Sequence, residues 1–279
     1  MTSISAPYRR AALHALAAVI CLVTLPAQAQ GRLKAHYTIS MTGVSIGQIA
    51  WLAAIGEQRY TASATGKASG VLSVLVNGEG SVDARGSVED GRLAPRLFIS
   101  NITDDEGKSE LRMTFDEGGV KDMIPHEPPP RSDRVPVTQA HLRGVADPLT
   151  AMLMPGGDDA LAHANCDRVL SIFDGRRRYD LALSFKRIDK IAIERGYSGS
   201  VLVCGVILQP IAGYRADSML VKYVVGRRDM ELWFAPVAGT SIVAPIRVLM
   251  PTLIGKLEIA ADQFDATVTP PAPEAPPRQ

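Results

Sequence analysis

Apolar and polar residues alternate with a period of two along much of the chain. The alternation is clearest in residues 33–39 (LKAHYTI), 110–115 (ELRMTF), 179–186 (YDLALSFK) and 256–259 (KLEI). Successive side chains of a β-strand point to opposite faces, so this period predicts strands with one apolar and one polar face. About a dozen such stretches predict an all-β sandwich or barrel built from antiparallel strands.

Turn-forming residues separate these stretches. Asp174-Gly175 lies between LSIF and RRRYDLALSF and predicts a tight hairpin. Asp90-Gly91 and Gly118-Gly119 are similar turn signals, and Gly226 with the charged residues after it separates LVKYVV from MELWF. The positions of these turn-forming residues therefore agree with a sheet of consecutive hairpins.

Residues 231–248 (ELWFAPVAGTSIVAPIRV) read as strand, turn and strand. Trp233 and Phe234 are adjacent, so in a strand they face opposite ways. Pro236 and Pro245 are expected to bound the connection or to protect a sheet edge. This segment shapes a surface and offers little reactive chemistry.

Helix signals are few. Asp147 has the position of an N-cap, Pro148 that of the first helical residue, and Pro155-Gly156-Gly157 that of a stop. A second short helix is one interpretation of Gly70–Val76, and a strand is the other.

The domain plan has three parts. Residues 1–29 are a predicted signal peptide, and residues 30–266 form a single domain with a proline-rich loop near 125–137. Residues 267–279 (TVTPPAPEAPPRQ) lack the apolar side chains needed for a core and predict a disordered tail.

The N-terminus has the three parts of a secretory signal. Arg9 and Arg10 precede an apolar run, residues 11–25, which ends before Ala27-Gln28-Ala29, a small-residue cleavage site. The run is shorter than the roughly 20 residues of a spanning helix. We expect cleavage after Ala29, a periplasmic location, and no transmembrane segment in the mature chain.

Cleavage removes Cys21 and leaves Cys166 and Cys204. An even number of cysteines in an oxidising compartment favours one disulfide, with two buried free thiols as the alternative. A loop of this length would stabilise the fold by roughly 3–4 kcal/mol in the chain-entropy model.

Reactive motifs are absent from the sequence. The formal net charge of +1 argues against a nucleic-acid binder. No nucleophile elbow, phosphate loop or metal-ligand spacing occurs, so we expect no cofactor, no metal and no enzymatic activity. The alternative is a periplasmic hydrolase in which His141 or His163 acts with a carboxylate such as Asp147, although Asp147 is better explained as a cap. We expect His36 to be solvated on the polar face of its strand, and His126 offers no motif.

Two features suggest binding. Arg176-Arg177-Arg178 follow the Asp174-Gly175 turn, either as a solvated hairpin tip or as a contact for anionic headgroups or peptidoglycan. The concave face of a strongly curved sheet is either a core plugged by helices or a lipid-sized groove.

The order of these elements resembles the bacterial periplasmic family called domain of unknown function 3108. The Asp147-Pro148 helix start and the late W-x-x-P…P-I-R element carry the resemblance, which spans about residues 33–264. The acidic turn usual in that family is Ala238-Gly239-Thr240 here, so any role of that acid is lost. A more distant resemblance is to periplasmic cell-envelope integrity proteins that form a curved, open barrel-like β-spiral with one disulfide. These resemblances imply a fold and a compartment, and no activity.

The sequence thus favours a non-catalytic envelope protein that binds a lipid, a lipoprotein or a protein partner on a curved β-sheet.

Overall fold

The computed structural model describes residues 30–69, 78–104, 107–124 and 133–269. Within these ranges the first half of the chain forms the strands β1 (Gln30–Met41), β2 (Val44–Ile55), β3 (Arg59–Ala68), β4 (Gly78–Glu89), β5 (Arg92–Asp104), β6 (Gly107–Asp116) and β7 (Gly119–Ile124). The second half forms β8 (Met154–Pro155), β9 (Val169–Phe173), β10 (Arg178–Ala192), β11 (Arg195–Gly196), β12 (Ser198–Ala212), β13 (Met230–Pro236), β14 (Ile242–Thr252) and β15 (Gly255–Thr269). The described helices are α1 (Pro148–Ala151), α2 (Met219–Val224) and two 3-10 turns, Gln139–Leu142 and His163–Asn165. The predicted signal peptide with its cleavage site, the stretch Gly70–Val76, the first part of the proline-rich loop with His126, and the tail beyond Thr269 lie outside the described residues.

The fifteen described strands join into one sheet. Its order is β7-β6-β5-β4-β3-β2-β1-β15-β14-β13-β12-β10-β9, with every neighbouring pair antiparallel, while β8 pairs with β14 and β11 with β15. The predicted all-β fold and its curved antiparallel sheet are confirmed. The sheet does not close on itself, and its outer strands are β7 and β9.

A connecting segment spans the gap between these two edges. Arg143 forms an isolated antiparallel bridge with Gly119 of β7, and Ala146 forms a parallel bridge with Ile172 of β9. Two residues later the chain enters α1, which packs inside the curve. The segment therefore holds the two edges together where strand pairing is missing.

The curve encloses the main apolar core. Alternate residues of β1 to β3, such as Leu33, Trp51 and Tyr60, face inward and are buried together with Val203 of β12 and Phe264 of β15. The period of two in the sequence thus reflects an inner apolar face and an outer polar face.

Strands β12, β13 and β14 are buried on both faces. A second apolar cluster lies on their outer side and contains Leu202, Cys204 and Phe234, covered by Met154 and Cys166 from the excursion between α1 and β9. A disulfide joins Cys166 to Cys204, with the sulfur atoms 2.01 Å apart. The predicted bridge therefore fastens this cover to β12.

The helices differ in part from expectation. Asp147 caps α1 as predicted, but the helix ends at Ala151, and Pro155 lies in strand β8 instead of stopping a helix. Residues 220–225 (LVKYVV) contribute to α2, which the sequence pattern did not predict. Ser218 caps α2, and Val224 is its buried residue.

Residues 231–248 form central strands. Trp233 and Phe234 face opposite ways, and both are buried because β13 is covered on each side. The expectation that Pro245 bounds a connection or protects an edge is wrong, since it pairs with Phe234 inside β14 next to a register shift, where a missing N–H is tolerated. Its carbonyl oxygen accepts a hydrogen bond of 2.7 Å from the Tyr37 hydroxyl.

The folded chain also extends beyond the predicted boundary at residue 266. Strand β15 continues to Thr269, and Thr267 and Val268 pair with Arg32 and Gly31 of β1. These residues are ordered because the backbone of β1 pairs with them, a contact that the composition of the tail does not predict.

Candidate functional site

An interior cleft of about 670 Å³ lies between strands β4 to β7, helix α1 and the β9–β10 turn. Most of its wall is apolar, formed by Val82, Phe98, Ile102, Leu111, Met123 and Leu149. Ser100 adds a hydroxyl to this wall and is itself buried. The cleft is the part of the concave face that α1 leaves unfilled.

Strand register explains the apolar wall. Phe98 on β5 pairs with Met113 on β6, and Ser100 pairs with Val82 on β4 and Leu111 on β6. Paired residues of neighbouring strands point to the same face, so these side chains form continuous rows on the inner surface. The rows run toward the end of the sheet where β5 ends at Asp104 and β6 begins at Gly107.

The β9–β10 turn forms the opposite wall. Gly175 has a φ of +91°, and a Cβ atom added to it would lie 2.2 Å from Leu111 Cδ2. The turn therefore lies directly against β6, which only glycine permits at this position. Asp174 fixes the turn, because its Oδ1 accepts hydrogen bonds from the backbone N–H groups of Arg176 (2.8 Å) and Arg177 (2.6 Å).

Two arginines line the mouth of the cleft, together with the carboxylates of Asp104, Glu110 and Asp174. Arg176 and Arg177 are both exposed, and Arg176 Nη2 lies 3.4 Å from Ser109 Oγ. Arg177 Nη1 is 3.9 Å from Asp174 Oδ2, a long contact that leaves the guanidinium largely solvated. Arg178 instead turns away and pairs with Asp180 at 2.5 Å. The apolar interior is suited to an amphipathic ligand, and at the mixed-charge entrance Arg176 and Arg177 are the groups that an anionic end of that ligand would meet.

Helix α1 is held in the curve by a buried hydrogen-bond chain. Asp147 is fully buried, and it accepts hydrogen bonds from the backbone N–H groups of Leu149 (3.0 Å) and Thr150 (2.9 Å). Thr150 Oγ1 donates to Asp147 Oδ2 at 2.6 Å, so the Tyr60 hydroxyl, 2.6 Å away, donates to Thr150. Burial raises the pKa of Asp147 to about 6, against the opposing effect of these hydrogen bonds.

The three residues of the hydrolase alternative take part in separate local contacts. His141 Nδ1 accepts a hydrogen bond from the Thr138 backbone N–H at 3.1 Å. The His163 ring stacks on Phe185 with centroids 3.8 Å apart. The hydrogen bonds of Asp147 in the described part of the chain are with the first turn of α1 and not with either histidine.

His36 lies on the polar face of β1, as predicted, but it is only partly solvated. Its Nδ1 is 2.9 Å from both carboxylate oxygens of Asp262, which also accepts from Thr38 Oγ1 and Arg195 Nη2. Although burial opposes the effect, the hydrogen bond from His36 and those from Thr38 and Arg195 hold the pKa of Asp262 below its usual range. In the described ranges, no three His, Cys, Asp or Glu side chains are grouped as a metal ion requires.

Two shallower depressions lie on the outer face of β1 to β5, with volumes of about 850 and 430 Å³. Their walls mix both charge signs with hydroxyl groups, for example Lys34, Asp83 and Ser63 in the larger and Lys67 and Glu79 in the smaller. Both depressions face solvent on the outer side of the sheet, although the larger one also has apolar lining from Leu52 and Ile99. The interior cleft is the stronger candidate because it lies on the concave face and is enclosed by α1 and the β9–β10 turn, so a ligand there would be covered on more than one side.

Fold and cleft together define an all-β protein with a strongly curved, open sheet that shelters an apolar cavity. The chain belongs to the family described as "Protein of unknown function (DUF3108)", which matches residues 36–262. It is also similar to a solved structure described as a beta-barrel-like protein of domain of unknown function DUF1849 from Brucella abortus, with 9% sequence identity, coverage of 86% of this chain and 98% of that chain, and a TM-score of 0.48. No curated protein matches the sequence. Along the described chain, no helix is both long and apolar enough to cross a bilayer.

Proposed function

We propose that this protein is a non-catalytic periplasmic envelope protein that binds an amphipathic anionic lipid, free or as part of a lipoprotein, in the interior cleft. The acyl portion contacts Phe98, Leu111 and Met123, and the anionic end faces Arg176 and Arg177. The observation that carries this proposal is the pairing of an apolar cavity with two weakly engaged guanidinium groups at its entrance.

The dimensions of the cleft support a small-molecule ligand. Its volume of about 670 Å³ lies within the range of roughly 300–1,000 Å³ that is typical of such sites. Because Ile102 at the entrance remains 45% exposed, the apolar wall reaches solvent and an acyl chain can enter without unfolding of the sheet.

The proposed compartment is supported by the disulfide. Disulfides persist in the periplasm and are rare in the reducing cytosol. The Cys166–Cys204 bridge and the three-part N-terminal pattern are thus two independent reasons for a secreted chain.

The test begins with native mass spectrometry of the protein purified from periplasm without detergent. The expected result is a chain that begins near Gln30, is two hydrogens lighter for one disulfide, and carries extra mass that organic solvent extracts as lipid. Titration with the fluorescent fatty acid cis-parinaric acid then measures binding to the stripped protein.

Three variants locate the site. Arg176→Glu with Arg177→Glu and, separately, Ile102→Glu should weaken binding of the probe by about tenfold or more, since each introduces a carboxylate where an anionic amphiphile enters. Leu52→Glu is the matched control, because Leu52 is similarly exposed but lies on the outer face of β2. Equal affinities of all four proteins, or a stripped protein that does not bind the probe, would refute the proposal.

A further inference from the structure

Exposed apolar side chains gather at one end of the sheet. We call this the mouth end: it is where the β1–β2 turn, the β14–β15 turn and helix α2 lie, and it includes the entrance of the cleft. Five of its residues form what we call the apolar rim, namely Val44, Met219, Leu220, Leu253 and Ile254. Ile254 is 80% exposed and Met219 is 74% exposed, which is far from the usual state of large apolar side chains.

The β14–β15 turn holds its two apolar residues outward. Thr252 Oγ1 donates to the carbonyl oxygen of Gly255 at 2.8 Å and accepts from the backbone N–H of Ile254 at 3.3 Å. The Thr42 N–H donates to the Lys256 carbonyl oxygen at 2.8 Å and so ties the β1–β2 turn beside it. Leu253 and Ile254 are therefore exposed by a fixed turn, with Val44 on the neighbouring turn.

Helix α2 exposes its first residues in the same way. Val224 is buried and Tyr223 is partly buried, and both pack in the outer apolar cluster with residues of β14. Met219 and Leu220 at the start of the helix do not join this cluster and project into solvent. The start of the helix is thus apolar and exposed, whereas its end is packed against the sheet.

Positive charge accompanies the apolar rim. Lys222, Arg228 and Lys256 are exposed, and none forms an ion pair with another residue in the described part of the chain. Nearby Arg215 and Arg227 differ, because Asp217 and Asp229 neutralise them. The surface around the rim is therefore apolar with unpaired cations.

The opposite end of the sheet differs in its apolar content, although both ends expose carboxylates, at the mouth end those of Asp104, Asp217 and Asp229. Its turns carry the exposed carboxylates of Glu57, Asp90, Glu117 and Glu194 in place of apolar side chains. Arginines also lie at that end, but no turn there exposes a pair of large apolar residues comparable with Leu253 and Ile254 among the residues that the structure describes. The apolar surface is thus a property of one end, and is not spread over the molecule.

We propose that the mouth end docks onto the surface of an anionic lipid bilayer, with the apolar rim inserted among the headgroups and Lys222, Arg228 and Lys256 facing lipid phosphates. Apolar side chains flanked by lysine and arginine are the combination that binds such surfaces. A second copy of the chain fits less well, because a symmetric contact would bring the same unpaired cations together. The rim residues do not line the cleft, so this inference stands independently of the proposed ligand.

The experiment is co-sedimentation of the secreted chain, with its N-terminus verified by intact mass, with two kinds of vesicle. One kind is phosphatidylcholine alone, and the other is a mixture of phosphatidylcholine and phosphatidylglycerol. We expect binding to the mixed vesicles, and binding that weakens as salt rises, since the Debye length falls below about 10 Å above 0.1 M.

Two variants and one control assign the surface. Leu253→Ser with Ile254→Ser, and Lys222→Glu with Lys256→Glu, should each reduce binding to the anionic vesicles by roughly tenfold. Leu52→Ser should bind like the unchanged protein, because Leu52 is as exposed as Leu253 (53% against 51%) but lies outside the mouth end. All these positions are exposed, so the unfolding temperatures should agree within a few degrees.

Three results would overturn the docking proposal. Unchanged vesicle binding in both variants, or equal binding to both kinds of vesicle, would overturn the proposal. A concentration-dependent dimer in size-exclusion chromatography with light scattering, abolished by Leu253→Ser with Ile254→Ser, would assign the rim to a second copy and would also overturn it. The parinaric acid titration is run on the same variants, and unchanged probe affinity would show that a failure to dock is separate from ligand binding.

Discussion

Replacement of Asp147 by alanine tests the buried chain that fixes α1 inside the curve. The carboxylate accepts from two backbone N–H groups and from Thr150 Oγ1, and the Tyr60 hydroxyl donates to the same threonine. Alanine removes the accepting carboxylate, whereas the two N–H groups and the Thr150 hydroxyl that donated to it stay buried. The first turn of α1 therefore loses its cap and one hydroxyl loses its partner.

The magnitude follows from these two losses. Removal of an N-cap lowers the free energy of unfolding by about 1 kcal/mol, and an unsatisfied buried hydroxyl lowers it by about 1–3 kcal/mol. We expect Asp147→Ala to destabilise the protein by about 2–4 kcal/mol. The matched control is Ser218→Ala, since Ser218 caps α2 through a long contact of 3.4 Å at a partly exposed site. There we expect a loss below about 1 kcal/mol.

Asp147→Asn separates the charge from the cap. Burial raises the pKa of Asp147 to about 6 from 3.8, so the folded state binds a proton more tightly than the unfolded state. The contribution of this group is therefore most favourable below about pH 4 and is lost as pH rises through 6. Relative to the asparagine variant, which cannot titrate, the unchanged protein should lose up to about 3 kcal/mol of stability over this window.

The assay is urea unfolding followed by tryptophan fluorescence at pH 4 and pH 7.5. The reasoning is refuted if Asp147→Ala unfolds within about 0.5 kcal/mol of the unchanged protein. It is also refuted if the unchanged protein and Asp147→Asn show the same pH dependence between these values. The comparison of the two proteins removes the contributions of other carboxylates, which both share.

Three further changes probe other parts of the fold. Cys204→Ser releases the cover from β12 and should lower the free energy of unfolding by roughly 3–4 kcal/mol; equal stability to denaturant under oxidising conditions would contradict this. Gly175→Ala forces a methyl group against Leu111 at a positive φ and should lower stability by about 1–3 kcal/mol, whereas Gly43→Ala, also at positive φ but in open space, should cost less in the same thermal scan. Glu231→Gln weakens contacts to two cations and an indole N–H and should cost about 1–3 kcal/mol at pH 7. Because the Arg187 hydrogen bond helps to lower the pKa of Glu231 to about 2, its stabilisation is present above pH 4.5 and is lost as pH falls toward 2, a slope that acid titration of the variant should lack.

Local patterns in the sequence were sufficient for the parts of the fold that local chemistry decides. The period of two located β10, the Asp174-Gly175 pair located its hairpin, and Asp147 was identified as a cap. Residues 220–225 were not recognised as contributing to a helix, because six mostly apolar residues satisfy either a buried strand or a short helix. Their packing against β14 is a tertiary contact that no local pattern contains.

The cleft could not be predicted from the sequence, for a related reason. Its walls come from β4 to β7, from α1 and from the turn at Asp174-Gly175, and about fifty residues of chain separate β7 from that turn. The sequence did offer one signal, the run of arginines after Asp174-Gly175, but could not say whether they met solvent or a cavity. Only the approach of Gly175 to Leu111 places two of them at an apolar entrance.

The connection between the two sheet edges explains how a sheet that does not close can still cover an apolar interior. Its outer strands, β7 and β9, are not paired with each other, and the segment with Arg143 and Ala146 bridges both. Because that segment continues into α1, the same stretch of chain ties the edges and fills the interior, and the cleft is the volume that a four-residue helix cannot fill. The chain leaves the interior after Ala151 and pairs Met154 and Pro155 with β14, so α1 contributes only its first residues, Pro148 and Leu149, to the cleft wall.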